Sequence, residues 1–386
     1  MIKKKKNTPN QFSFETKAIR EGSFRSSAME HSESIYPTSS FLFNSASQAA
    51  SRFKGDEDGL IYSRFSNPSI EMFERRLASL ENAEDCVATA TGMSAILLTC
   101  LSFLKSGDEI VSTPSLFGAT LQFFNNYLSK FGIKTHYVSL TKTKDWEMKI
   151  TSKTKLFYLE TPSNPLNEIA DLFKISEICK KNKIISVVDN CLCTPALQNP
   201  LDFSIDLSLH SATKFIDGQG RVLGGAVAGN RELISQIKST MRTCGPAMSP
   251  FNAWILFKSL ETLKIRMDAQ SDSAELIANF LQKHKKIKKV FFPGLKSNPQ
   301  YKLAKKQQKK PGAIISFELK NSKSSSAKKH AWKVIDKVHI FSRTGNLGDS
   351  RSTITHPAST THCRISNLER KKAGINDALV RISIGL

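Results

Sequence analysis

Long apolar runs are missing from this chain, and with them any segment able to cross a bilayer as a helix. The basic start, Met1-Ile-Lys-Lys-Lys-Lys-Asn-Thr-Pro9, leads into no apolar stretch. A secretory signal is therefore not expected, and the cytoplasm is the expected compartment. A disulfide framework is missing too. The seven cysteines are odd in number and scattered, which suits reduced thiols. Cys191 and Cys193 are one residue apart, neither a redox Cys-x-x-Cys pair nor half of a zinc site. The eight histidines show no ligand spacing, so no metal is expected. Acidic residues are scarce, 34 against 56 basic, for a net charge of +22. That excess invites a nucleic-acid or anionic-membrane partner. The lysines read as spread over the whole length, however, and their short runs, such as Lys3 to Lys6 and Lys309-Lys310, carry no interleaved stacking aromatics. A solvated face is the expectation, with neither specific nucleic-acid nor membrane binding.

What the chain does have is alternation. With 386 residues, 40% of them hydrophobic, it can bury one large core and a smaller one. Residues 1–60 are polar and weakly periodic and read as an arm that packs on a neighbour or frays. Helices are expected at 70–82, 93–104, 117–131 and 172–182. Strands are expected at 86–90, 108–112, 134–139, 155–160, 184–189, 205–209 and 222–228. That alternation predicts an α/β domain over 61–248 with a large, mostly parallel sheet covered on both faces, and ligands beyond the carboxyl ends of its strands. Ser249-Pro250 opens a long helical pattern over 250–283. Short strands at 290–293 and 313–318 and a helix near 326–337 then make 249–386 a smaller α+β domain. The run 320–326 reads as a surface loop.

Polar residues fall at the strand ends. The most telling is Ser211-Ala-Thr213-Lys214, followed by a glycine cluster from Gly218 to Gly225. A lysine beside two short hydroxyls can form an imine with a carbonyl while the hydroxyls hold an anion, and pyridoxal phosphate presents both groups. A solvated lysine at an ordinary strand-to-loop junction remains open on this segment alone. The Ser-x-x-Lys of serine acyl enzymes also fits, but no Ser-x-Asn occurs, and Lys105-Ser106-Gly107 precedes the lysine rather than following it. Asp189, ending a strand, can pair with a protonated pyridine nitrogen or merely cap a turn. Gly92-Met93 begins a helix whose free N–H groups would face a phosphate. Phe117 can lie over the ring or belong to the core.

Together with Tyr62-Ser-Arg64-Phe-Ser-Asn-Pro68, Glu160-Thr-Pro-Ser-Asn-Pro165, Asn346-Leu-Gly-Asp349, Thr355 to His362 and Val380-Arg-Ile-Ser-Ile-Gly385, these segments resemble the cystathionine gamma-synthase/methionine gamma-lyase family of fold-type I pyridoxal phosphate enzymes, most of all its O-succinylhomoserine sulfhydrylase branch. The likeness covers nearly all of the chain after the arm. It implies Lys214 as Schiff-base lysine and proton shuttle, Asp189 as pyridinium partner, Phe117 as ring stack, and Gly92, Met93, Ser211 and Thr213 as phosphate ligands. It places Tyr62 and Arg64 on a neighbouring subunit's phosphate, Arg381 on the substrate carboxylate, Asn164 near the cofactor's phenolic oxygen or that carboxylate, and Asn346 near the carboxylate. The implied assembly is a dimer with shared sites, paired into a tetramer. The implied reaction is gamma-replacement on O-acyl-L-homoserine, O-succinyl by preference, with sulfide giving homocysteine for methionine biosynthesis. The alternative is cystathionine gamma-synthase or methionine gamma-lyase chemistry on the same scaffold. Phe117 stands where many members have tyrosine and Asn346 where the lyase branch has serine, both as in sulfhydrylases. The chain stops at Gly385-Leu386, where relatives usually continue into a last helix.

Overall fold

The computed structural model describes residues 12–320, 326–364 and 366–386. The lysine run at 3–6 and most of the loop expected over 320–326 lie outside them.

Seven strands form the large sheet: β1 (Asp85–Thr89), β2 (Glu109–Ser112), β3 (Lys134–Tyr137), β4 (Thr154–Glu160), β5 (Ile185–Asp189), β6 (Leu207–His210) and β7 (Gly225–Gly229). Their order is β1-β7-β6-β5-β4-β2-β3, and β7 alone runs antiparallel to its neighbours. The mostly parallel, doubly covered sheet is the one the alternation predicts. Its central strands are apolar on both sides because both faces are covered. Leu156, Tyr158, Val187 and Leu209 pack under helices Gly92–Phe103 and Arg231–Cys244, while Phe157, Leu159 and Val188 face helix Leu172–Asn182 and the buried Trp146. Each such fully buried side chain contributes about 1.5–3 kcal/mol.

A second sheet of five strands follows: β8 (Ile287–Phe291), β9 (Ile314–Leu319), β10 (Ser342–Arg343), β11 (Thr353–Thr355) and β12 (Leu379–Ser383), ordered β10-β11-β12-β9-β8. The lysines are not evenly spread, contrary to the sequence reading. Residues 283–343 hold eighteen Lys and Arg against only Glu318 and Asp336, most of the chain's excess charge. Lys288 and Lys289 stand exposed on the edge strand β8, where charge discourages further strand pairing.

Two expected helices are interrupted. The pattern over 250–283 splits into Pro250–Leu260 and Leu263–Lys283. Two buried guanidiniums satisfy the carbonyls at the break: Arg76 donates to Phe257 O at 3.1 Å, and Arg266 donates to Ser259 O at 3.0 Å. The pattern over 117–131 is helical only from Gly118 to Asn126. It then tightens into a 3-10 turn, Leu128–Phe131, ended by left-handed Gly132. The arm is more ordered than its composition suggests. Ser13 caps helix Phe14–Arg20, Ala18 is buried in the main core, and Arg76 binds Ile19 O, Glu21 O and Ser23 Oγ. Helix Ala46–Lys54, by contrast, buries none of its residues.

Candidate active site

The parallel strands β4, β5 and β6 end side by side, with Glu160 in register with Asp189 and Asp189 with Leu209. Their carboxyl ends carry the site. Beyond β6 the chain turns through Ser211 to Lys214, whose N–H bonds Ser211 O at 3.2 Å. On the other side, Thr91 caps helix Gly92–Phe103 by accepting the Ser94 N–H. Gly92 lies so close to Ser211 that an added Cβ would sit 2.7 Å from the serine Cβ. A helix N-terminus, a serine hydroxyl and no intervening side chain form a cradle suited to an anion. Met93 follows half-buried in the first turn. Thr213 spends its proton on Gly224 O at 3.2 Å while accepting the Gly224 N–H at 3.0 Å. It would have to exchange that long bond to serve a phosphate.

Lys214 reaches the second sheet. Its Nζ donates to Asn346 Oδ1 at 2.6 Å. Burial holds its pKa below the ordinary value; the Cys191 thiol opposes this and the Arg381 charge adds to it. A lowered pKa leaves more of the amine neutral and nucleophilic. Arg381, on β12, is 1% exposed. It donates to Asn164 Oδ1 and Gly345 O, each at 3.0 Å, and to Asn346 O at 3.4 Å, while its Nε has no partner. Burial brings its pKa down to about 10, with Glu160 acting against the fall. Lys214, Asn346, Arg381 and Asn164 are thus one contiguous group. Asn346 faces the lysine with its side chain and the guanidinium with its carbonyl.

Asp189 accepts the Cys191 N–H at 3.0 Å and, more weakly, the Tyr158 hydroxyl at 3.4 Å. Burial pushes its pKa up to about 6 against the Cys191 N–H, the His210 ring and the Tyr158 hydroxyl. A half-buried carboxylate bonded only to neutral donors lacks a cation, and a protonated ring nitrogen would supply one. Phe117, 36% exposed, stands just before helix Gly118–Asn126. Its N–H is bound by Glu160 Oε2 at 2.9 Å. Tyr62 and Arg64 make their contacts elsewhere. Arg64 lies over the Phe65 ring at 4.9 Å and the Tyr62 ring at 5.6 Å, and its Nη1 donates to Arg242 O. Glu160 received no individual role from the sequence, although it ends its strand as Asp189 does. Tyr158, inside an apolar run, gives no such signal.

An anion cradle, a depressed lysine amine, a carboxylate awaiting a cation and an exposed aromatic ring fit pyridoxal phosphate part by part. They define a lysine-anchored pyridoxal phosphate enzyme of the α/β kind. The profile of the Cys/Met metabolism PLP-dependent enzymes matches residues 15–386, and the chain belongs to that family. It is 46% identical over 373 residues to the O-succinylhomoserine sulfhydrylase of Pseudomonas aeruginosa, covering 97% of this chain and 91% of that one. It is 38% identical over 376 residues to the L-methionine gamma-lyase of Porphyromonas gingivalis, covering 97% and 93%. Among solved structures, a Campylobacter jejuni chain carrying N'-pyridoxyl-lysine-5'-monophosphate superposes with a TM-score of 0.92 at 34% identity, covering 97% and 96%. Gamma-elimination or gamma-replacement dependent on pyridoxal phosphate is therefore the chemistry of this chain.

Proposed function

We propose that the enzyme exchanges the acyl group of O-succinyl-L-homoserine for sulfide, releasing homocysteine and succinate. The observation that carries this reading is the Lys214 amine held 2.6 Å from Asn346 beside the buried Arg381 guanidinium. That geometry suits a base working next to a bound carboxylate. The choice of the sulfhydrylase branch is supported by Phe117 and Asn346 and by the likeness to the P. aeruginosa enzyme.

Bound at Lys214, the cofactor supplies an electron sink that makes the proton beside the substrate carboxylate acidic. The protein does the rest. Arg381 clamps the carboxylate through its planar fork. Asp189 keeps the ring nitrogen protonated, and Ser211, Thr213 and the N-terminus at Gly92-Met93 hold the phosphate. Lys214, once released, takes the alpha-proton and then moves a beta-proton, with Asn346 fixing the amine between the two positions. Phe117 covers the ring without a hydroxyl, which leaves proton movement to the lysine alone. Tyr62 and Arg64 serve the neighbouring subunit's phosphate in a dimer paired into a tetramer.

A lyase or cystathionine-forming reading draws on the 38% identity to methionine gamma-lyase. Competition between sulfide, cysteine and water at matched concentrations, with O-succinylhomoserine as donor, separates the readings. Homocysteine should dominate. Cystathionine forming faster than homocysteine would overturn the proposal.

A further inference from the structure

Glu160 lies where the ring cover, the ring-nitrogen partner and the carboxylate clamp meet, yet it has no role in the reaction as derived above. It ends β4, is 4% exposed, and stands in register with Asp189 on the adjacent strand. Its Oε2 accepts the Phe117 N–H at 2.9 Å. No side chain caps helix Gly118–Asn126 from Phe117 itself, so this carboxyl fixes the approach to the helix. A second tether holds the same segment: Ser115 Oγ donates to Glu168 Oε2 at 2.7 Å. Ser115, Leu116 and Phe117 are thereby pinned by two acidic side chains from either end of one turn.

We propose that Glu160 is a positioning residue that sets the angle of the Phe117 ring against the cofactor, and that it does so as a neutral acid, leaving Asp189 the one anion of the adjacent pair. Two carboxylates side by side in a buried place, with Arg381 the cation acting on Glu160, cannot both ionise without heavy cost. Tyr158 and Asp189 face Glu160 from the neighbouring positions and add no positive charge. Burial, and then the Asp189 charge, hold the Glu160 pKa well above the ordinary carboxylate range. Glu160 is the more deeply buried of the two, 4% exposed against a half-buried Asp189, so the proton stays on Glu160. The inference rests on the cofactor placement proposed above.

The test compares Glu160→Gln with Glu160→Leu in the full-length holoenzyme and apoenzyme. It reads cofactor dissociation constant, the visible circular dichroism of the bound cofactor, and hydrogen exchange at the Phe117 amide. Glutamine reproduces a neutral acceptor, so affinity should stay within about threefold and the dichroic band should persist. Leucine keeps the bulk but removes the acceptor, so affinity should fall about tenfold or more, the band should collapse, and the Phe117 amide should lose protection. A leucine variant matching wild type would reduce Glu160 to packing and overturn the proposal. A glutamine variant as impaired as the leucine one would overturn its neutral state. Should Glu160→Leu not fold, Ser115→Ala, which cuts the other tether alone, has to shift the same amide and the same band in the same direction, and an unchanged amide would refute the pinning. A wild-type protein without any cofactor band would sink the cofactor placement and with it the ring-setting role, whereas the Phe117 amide alone reports whether Glu160 pins the segment.

Discussion

Replacing Asp189 by asparagine should make the cofactor-free protein more stable while it disables the enzyme. Burial moves this carboxyl from its ordinary 3.8 to about 6. A raised folded-state value means that the native protein favours the protonated form. The favourable contribution is complete below the unfolded value and is lost as pH rises through 6. At pH 8 the ionised group costs the apoprotein about 3 kcal/mol relative to an uncharged one, and at pH 4.5 only about 1 kcal/mol. Asparagine keeps an acceptor for the Cys191 N–H, bound at 3.0 Å in the native protein, and never ionises. Urea unfolding of apoprotein should therefore show Asp189→Asn gaining on wild type across this range. Adding pyridoxal phosphate should reverse the order, because only the carboxylate gains a cationic partner and binding energy stabilises the folded form. Alpha-proton exchange in deuterated water should slow about 10- to 150-fold, the loss of one charge-assisted hydrogen bond of roughly 1.5–3 kcal/mol. Apoprotein curves that run parallel at all pH values, or unchanged proton exchange, would refute the assignment of Asp189 as a half-buried anion waiting for a cation.

Asn346→Ala removes the acceptor 2.6 Å from Lys214 Nζ. Alpha-proton exchange should slow about 10-fold or more while cofactor affinity holds, and a loss of affinity with normal exchange would contradict the arrangement. Lys214→Ala and Arg64→Ala should each be nearly inactive. Refolded as an equal mixture, they should recover about a quarter of wild-type activity if each site takes Lys214 from one chain and Arg64 from the other. Hybrids detected by mass but without activity would assign Arg64 to its own chain.

Much of the large sheet was legible because its strands are short apolar runs ended by polar residues. Ile185–Asp189 and Leu207–His210 read correctly to within a residue or two. The break at Glu261-Thr262 was not legible. Its carbonyls are met by Arg266 of the following helix and by Arg76, which lies 181 positions from Phe257 and reaches it only in the folded chain. Helix Arg231–Cys244 is not among the elements expected from the sequence, although Ile234, Ile237 and Met241 lie at helical spacing. At the site, the residue types at strand ends pointed to Asp189 and Lys214. The pairing of Lys214 with Asn346, 132 positions later, could not be read from spacing. Nor could the bond from the Phe117 N–H to Glu160, since a strand-end acid does not announce which backbone N–H it will meet.

Lys214 follows the large sheet and Asn346 and Arg381 belong with the small one, so the proposed base and the proposed carboxylate clamp face each other across a seam. The distance between the proposed base and the proposed clamp then depends on how the two sheets pack through their shared core. A mutation in the small body that loosens its seating would leave the anion cradle at Gly92 and Ser211 untouched, because both halves of that cradle belong to the large body. Such a protein would hold its cofactor and keep its colour while turning over slowly. The coloured but idle enzyme would be a fault of alignment, and the place to look for its repair would be the small-sheet interface rather than the residues that touch the cofactor.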